Sequence, residues 1–293
     1  MGLAEWFYGF CNNLAVQNKE SISERYQLIT RRLNLDFWNT DSRTSHSLYV
    51  GSYGRNTAIQ GFSDLDMLMR LPYETYKKYD GYSSNGQSAL LQAVRQSIST
   101  TYSKTSIGGD GQVVCVPFAD GITFEVLPAF VNENGSYTYP NSNNGGSWAT
   151  TNPKPELDAM RTRNDSCNNN LIRLCRMMRA WRGKWDVPIG GLLIDTLAYN
   201  FIESWAHKDK SFLYYDYMCR DFFEYLANQK DNQTYWKAPG SGQYVYAKGN
   251  FRPKAKKAYN LALEAIEHES ATPKREWSAK SKWREVFGTK FPD

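Results

Sequence analysis

Residues 47–71 read SLYVGSYGRNTAIQGFSDLDMLMRL. Leu48, Tyr49 and Val50 carry the aromatic and β-branched bias of a strand, Gly51, Gly54 and Gly61 break the chain, and Ser63 to Leu71 reads as a second strand. Side chains alternate between faces on that second strand, so Asp64, Asp66 and Leu68 share one face while Leu65, Met67 and Met69 share the other. Two residues of strand advance about 6.6 Å, which lets both carboxylates lean over a metal pair about 3.5–4 Å apart. The pattern suits two magnesium ions. Just upstream, Gly51 exposes backbone N–H groups at a tight turn and Ser52 adds a hydroxyl, groups that hold phosphate oxygens. In the plainer reading, Gly-Ser is an ordinary turn and the aspartates are solvated on an edge strand. Two carboxylates set between apolar residues, behind a glycine turn, weigh against it.

The rest of the composition is permissive. A chain of 293 residues can bury a substantial core, as one large domain or two packed ones. Hydrophobic residues at 41% and charged residues at 22% are globular values. The formal charge of +5 favours anionic ligands without demanding a nucleic-acid polymer, and ribonucleoside triphosphates satisfy it equally well. Cys11, Cys115, Cys167, Cys175 and Cys219 show no Cys-x-x-Cys or Cys/His metal spacing, which points to a reduced cytoplasmic protein. The N-terminal stretch lacks a basic flank and is interrupted by polar residues, so it makes a poor signal peptide. No segment approaches the roughly 18–20 apolar residues that span a bilayer, and no membrane partner is expected.

Taken in order, residues 3 to 36 are helix-compatible, with Ile22, Tyr26, Ile29 and Leu33 at spacings of three and four, and predict one long or broken helix packing on the sheet. A helix over 88–102, with Leu91, Val94 and Ile98 on one side, is expected to cover a sheet. Residues 112–117 and 122–127, joined through Asp120 and Gly121, predict a hairpin. On its second strand Phe124 and Val126 face the core and Glu125 faces away, either toward the Asp64/Asp66 strand or simply to solvent; the residues alone leave both open. Residues 132–155, rich in Asn, Gly, Ser and Pro, read as a long irregular connection. Beyond it, 168–182 predicts a basic helix whose Arg173, Arg176, Arg179 and Arg182 repeat every three residues, a face from which one or two arginines can reach triphosphate oxygens. Further helices follow, interrupted at 237–249 by a glycine-rich loop without phosphate-loop spacing. In the tail, Trp277, Trp283 and Phe287 are expected to pack back on the body. Tyr199, Tyr214 and Tyr215 are candidates to stack on a base, with a core role the simpler reading.

Gly-Ser, an eleven-residue connection and Asp-apolar-Asp together resemble the signature of the DNA polymerase β-like nucleotidyltransferases. With their surroundings, Gly51, Ser52, Asp64, Asp66 and Glu125 resemble the bacterial CD-NTases, relatives of animal cyclic GMP-AMP synthase and the oligoadenylate synthases. FEVLPA at 124–129, TNPKP at 151–155, LCRMMRAWR at 174–182, GLLIDTLAYNFI at 191–202 and WREVFG in the tail extend the likeness over nearly the whole chain. The resemblance implies an α+β fold, a polymerase β-like mixed sheet with a helical second lobe. A catalytic core with its N-terminal helix would occupy 1–150 and a helical lobe 151–293, closing a nucleotide cleft. It implies that Asp64, Asp66 and Glu125 are the catalytic and metal-binding residues, holding two Mg2+ ions for which Mn2+ can substitute, and that Gly51, Ser52 and Arg179 bind nucleotide. Glu125 stands where many relatives have aspartate, and Arg179 where many have lysine.

The implied reaction joins ribonucleoside triphosphates. An acceptor ribose hydroxyl attacks the donor α-phosphate, pyrophosphate leaves, and a second transfer closes a cyclic di- or trinucleotide. The implied role is second-messenger synthesis in anti-phage (CBASS) defence, with a product-activated effector encoded nearby, a purine cyclic dinucleotide such as cyclic GMP-AMP as product, and no obligate nucleic acid. The rivals are a template-independent RNA or small-molecule nucleotidyltransferase, for which a broad basic surface is expected, and a catalytically silent nucleotide-sensing module.

Overall fold

The structure, a computed structural model, describes residues 2–61 and 64–293. It comprises two compact units, one formed by Gln17–Gly54 and Ser63–Lys154, the other by Met1–Val16, Arg55–Phe62 and Pro155–Asp293. The expected break near residue 150 is therefore close to one of the observed crossings, while the N-terminal helix and a short segment after Gly54 belong with the C-terminal part.

The first unit is built on a mixed sheet. Its elements are α2 (Lys19–Trp38), β1 (Ser47–Tyr49), the single turn α3 (Gly51–Gly54), β2 (Leu65–Arg70), α4 (Tyr73–Asp80), α5 (Gly86–Thr101), β3 (Gly108–Asp110), β4 (Val113–Pro117), β5 (Thr123–Val131), β6 (Tyr137–Asn141) and β7 (Ser147–Thr151). The strand order is β1-β2-β5-β4-β3, with β2 and β5 parallel and the other pairs antiparallel. The predicted hairpin is β4–β5. Leu65, Met67 and Met69 of β2 are buried with Phe124 and Val126 of β5, as the alternation predicts. Helices α2 and α5 pack on one another, burying Ile22, Ile29 and Leu33 of the first and Leu90, Val94 and Ile98 of the second. Each such side chain contributes about 1.5–3 kcal/mol. An ion pair joins Arg25 of α2 to Asp120 in the β4–β5 turn at 2.9 Å, and the same guanidinium lies 4.2 Å from the Phe118 ring centre.

Two expectations change here. Residues 132–155 are not an irregular connection: β6 and β7 form a second hairpin that prolongs β5 beyond Phe130. Tyr137, Thr138 and Tyr139 pair with Thr151, Thr150 and Ala149, so the aromatic and β-branched residues form strands, and the glycines at 145 and 146 lie in the turn between them. Of the long or broken helix expected over residues 3 to 36, the broken form is found, with Asn18 left-handed between α1 and α2, but only the second part belongs to the sheet unit.

The second unit is mainly helical: α1 (Leu3–Leu14), α6 (Pro153–Asp165), α7 (Asn170–Trp185), α8 (Gly191–Ser204), α9 (Tyr215–Ala227), the strands β8 (Tyr235–Lys237) and β9 (Tyr244–Tyr246), α10 (Arg252–Ser270) and α11 (Glu276–Phe287). Helix α1 buries Trp6, Phe7 and Phe10. Phe7 meets Trp283 at 5.3 Å between ring centres, and Phe10 meets Phe287 at 4.7 Å and Phe291 at 5.2 Å. The glycine-rich 237–249 segment contains the turn of a short hairpin, β8–β9, with Gly240 and Gly242 in that turn at positive φ. Trp283 and Phe287 are buried as expected; Trp277 is not, at 82% exposed. Tyr215 is also a core residue, its hydroxyl donating to Asn170 Oδ1 at 2.6 Å. Among the described residues no helix is long and apolar enough to cross a membrane.

Candidate active site

In the sheet unit, the chain leaves β1 through Val50, whose N–H donates to the Asp66 carbonyl at 3.0 Å, and turns at once into α3. Gly51 has φ of +59°, in the left-handed region. A Cβ there would also fall within the Asp66 carboxylate, so glycine is required twice, by backbone angle and by space. Ser52 is the next residue of the turn and is half-buried. The pair predicted as a phosphate turn thus lies directly beside one of the predicted carboxylates.

The parallel pairing of β2 and β5 sets Asp66 opposite Glu125. Both are half-buried and they share a face of the sheet. Asp64 lies one residue before β2 and is exposed; Ser63, read as the start of that strand, lies outside the described residues. Burial, first, and the negative charges of Asp66, Asp64 and Asp110 push the Glu125 carboxyl up to about 7. The three predicted carboxylates therefore lie within electrostatic reach of one another. That Glu125 faces this group and not simply solvent resolves the alternative the sequence left open.

Two further residues join this face. Cys115 of β4 pairs with Glu125 and with Gly108 of β3, and Asp110 lies two residues beyond Gly108 on the same side. Burial and the charges of Glu125, Asp110 and Asp64 raise the Cys115 thiol. Asp110 escapes a sequence reading because Gly108-Gly109-Asp110-Gly111 looks like a turn.

Among the described residues, no three Asp, Glu, His or Cys side chains converge on one ready-made metal position. The chemistry of the donors nevertheless fits magnesium: all are hard carboxylate oxygens, and their mutual repulsion, expressed at Glu125, is what a divalent cation relieves.

Arg179 is placed differently from the expectation. It is buried in the helical unit, and its guanidinium grips Asp195, with Nη1 to Oδ1 at 2.6 Å and Nη2 to Oδ2 at 2.9 Å, while Nη2 also donates to the Gly191 carbonyl at 3.1 Å. Asp195, fully buried, further accepts from Arg55 Nε at 2.8 Å and Thr57 Oγ1 at 3.0 Å; Arg55 is also 3.6 Å from Glu156. Burial alone would raise the Asp195 carboxyl, but the two guanidiniums hold it below its ordinary value. The arginines of α7 do not form one face, because a spacing of three drifts about 60° per step on a helix. Arg176 instead bonds Asn56, through its carbonyl at 3.1 Å and its side chain at 2.7 Å, and Arg173 lies 4.9 Å from the Phe212 ring centre. The signal for this cluster was Asp195 itself, an acid within the apolar run GLLIDTLAYNF that needs a buried cation.

Residues 1–164 match the Second Messenger Oligonucleotide or Dinucleotide Synthetase domain. A probable cyclic nucleotide synthase of Bacillus cereus (strain VD146) is 22% identical over 278 residues, covering 83% of this chain and 81% of that protein. Among solved structures, CdnC of E. coli MS115-1 with ATP superposes with a TM-score of 0.67 at 14% identity, over 99% of each chain. The CD-NTase CdnG of Bradyrhizobium diazoefficiens in complex with GTP gives 0.69 at 10% identity, over 98% of this chain and 95% of that one.

Proposed function

The chain belongs to the Second Messenger Oligonucleotide or Dinucleotide Synthetase family, and from that premise we propose how its residues divide the work. It is a bacterial CD-NTase, a nucleotidyltransferase that makes cyclic oligonucleotides. In our reading Asp64, Asp66 and Glu125 hold two Mg2+ ions and are the catalytic residues, while Gly51 and Ser52 bind the donor triphosphate. Arg179 leaves the nucleotide-binding set, because its donors serve Asp195. The observation that carries the reading is the register of Asp66 with Glu125 beside the turn at Gly51.

Magnesium held there supplies positive charge to the transferring phosphoryl group. The protein's own residues do the positioning. The α3 backbone and the Ser52 hydroxyl orient phosphate oxygens, and the tight fit of Gly51 against Asp66 fixes that turn relative to a carboxylate. An acceptor ribose hydroxyl then attacks the α-phosphate, and pyrophosphate departs. A second transfer on the linear product closes the ring.

Purine triphosphates are the proposed substrates, supported by the ATP and GTP bound to CdnC and CdnG, and cyclic GMP-AMP is the proposed product. The proposed setting is anti-phage defence through a product-activated effector. Incubating the protein with all four ribonucleoside triphosphates and Mg2+ or Mn2+, then identifying phosphatase-resistant products by mass spectrometry, tests this. A cyclic purine dinucleotide from the intact protein, absent with Asp64→Ala/Asp66→Ala, is expected. Another ring or another base pair would replace the product assignment; neither product nor triphosphate binding would remove the site.

A further inference from the structure

Trp277, at 82% exposed, leaves a large apolar surface in water at the start of α11, and its surroundings are basic. A cavity of about 230 Å³ lies between Trp277, Lys280, Arg284 and Asp293. A second, of about 500 Å³, lies between Lys184, Trp185, Lys257, Arg284 and Glu285. The two share Ser281 and Arg284. They make one continuous surface with two indoles and four cations, set against the carboxylates of Glu285 and Asp293.

Lys184 and Arg284 lie in the last turns of α7 and α11, where the helix dipole favours a cation, whereas Lys257 lies near the start of α10, where it does not. Helix α10 opens with Arg252, Lys254, Lys256 and Lys257, has no acid in its first turn, and carries Glu264, Glu267 and Glu269 in its second half. Both choices oppose the helix dipole, which favours anions at the N-terminus and cations at the C-terminus. Among the described residues neither Lys184 nor Lys257 has an ion-pair partner; the Lys257 ammonium lies 5.2 Å from the Trp185 ring centre. Arg284 pairs with the exposed Asp293, whose carbonyl accepts from Lys280 at 2.6 Å. Trp185 is fixed by its indole N–H donating to the Glu285 carbonyl at 3.0 Å.

We infer that this face of the helical unit binds single-stranded nucleic acid. The cations track successive phosphates, and Trp277 supplies a platform on which a base stacks. A duplex hides its base faces from an indole, and a simple anion or an acidic peptide uses the cations but gives the indole no flat partner. The inference is independent of the triphosphate site.

Fluorescence anisotropy with the full chain and labelled oligo(U) or oligo(dT), without divalent metal or triphosphate, tests it. The two oligonucleotides distinguish RNA from DNA as the source. Binding is expected to weaken with salt at a log–log slope of about −2, the value for three phosphate contacts on a single strand. Lys184→Glu/Lys257→Glu should weaken it at least about tenfold and flatten that slope, and Trp277→Ala should weaken it about fivefold or more without changing the slope. Unaltered nucleotide turnover in both variants reports that they are folded. No binding at about 50 mM salt, binding indifferent to these substitutions, or binding displaced by excess ATP would each overturn the inference. None of these results would bear on the catalytic assignment.

Discussion

Gly51 and Asp66 share one volume: the space beside the Gly51 α-carbon that any other residue would fill is occupied by the Asp66 carboxylate. Gly51→Ala must therefore move either the turn or the carboxylate, in addition to straining φ. A shift of about 1 Å in a positioned group costs about 100-fold in rate. Pyrophosphate release should fall by at least that factor, while the left-handed strain costs only about 1–2 kcal/mol of stability. Gly61→Ala is the control. Gly61 also has positive φ, at +81°, but an added Cβ there meets nothing within 4 Å, so it should lose stability and keep its turnover.

The raised Glu125 carboxyl couples the site to pH. Its folded value of about 7 lies above the ordinary 4.5 of a glutamate, so the neutral form is favoured by folding. Stability from this group is intact below the lower value and is lost progressively as pH rises through the higher one. Without divalent ions, the melting temperature should decline between pH 5 and 8, and less so in Glu125→Gln. Added Mg2+ should restore the wild-type value at pH 8 and do little at pH 5. Thermal melts at the two pH values, with and without the ion, decide the matter; an identical Mg2+ effect at both would contradict it.

Asp195 neutralises two buried guanidiniums at once. Asp195→Asn leaves Arg55 and Arg179 without their shared anion, and a broken buried pair of this kind costs about 3–5 kcal/mol in a denaturant titration. Arg179→Lys should also destabilise, because an ammonium cannot reproduce the two-pronged contact. A nucleotide-binding arginine would behave otherwise, with KM rising and stability unchanged.

Asp216 titrates without a cationic pair. Burial pushes its carboxyl up to about 6, against an ordinary 3.8, despite the Tyr217 N–H donating to it at 2.8 Å. The sign is again destabilising as pH rises from 3.8 through about 6. Asp216→Asn keeps the acceptor and removes the charge, so it should stabilise the protein by about 2–3 kcal/mol at pH 8 and hardly at all at pH 4. Denaturation midpoints at the two pH values measure the difference.

What could be read from the chain follows from how local each signal is. The Gly51–Asp66 unit is contained within sixteen residues, and period-two alternation already assigns Asp66, Met67 and Met69 to their faces. The partnership of Asp66 with Glu125 spans 59 positions and depends on strand register, so the sequence could nominate Glu125 but not seat it. The placement of Arg179 was hidden for the same reason. Its partner, 16 residues on, lies on another helix, and a charge pattern counted along one helix says nothing about what packs against it. The β6–β7 hairpin was hidden by composition, since Asn, Gly, Ser and Pro between and around two five-residue strands mask their alternation.

Helix α1 has a consequence in time. The rings of Phe7 and Phe10 are completed by Trp283, Phe287 and Phe291, about 280 residues later in the chain. At about 5–20 residues per second, a ribosome takes roughly 15–60 s to supply those partners. The apolar side of α1 is made long before α11, so until then it has only earlier partners such as Tyr215 to rest against.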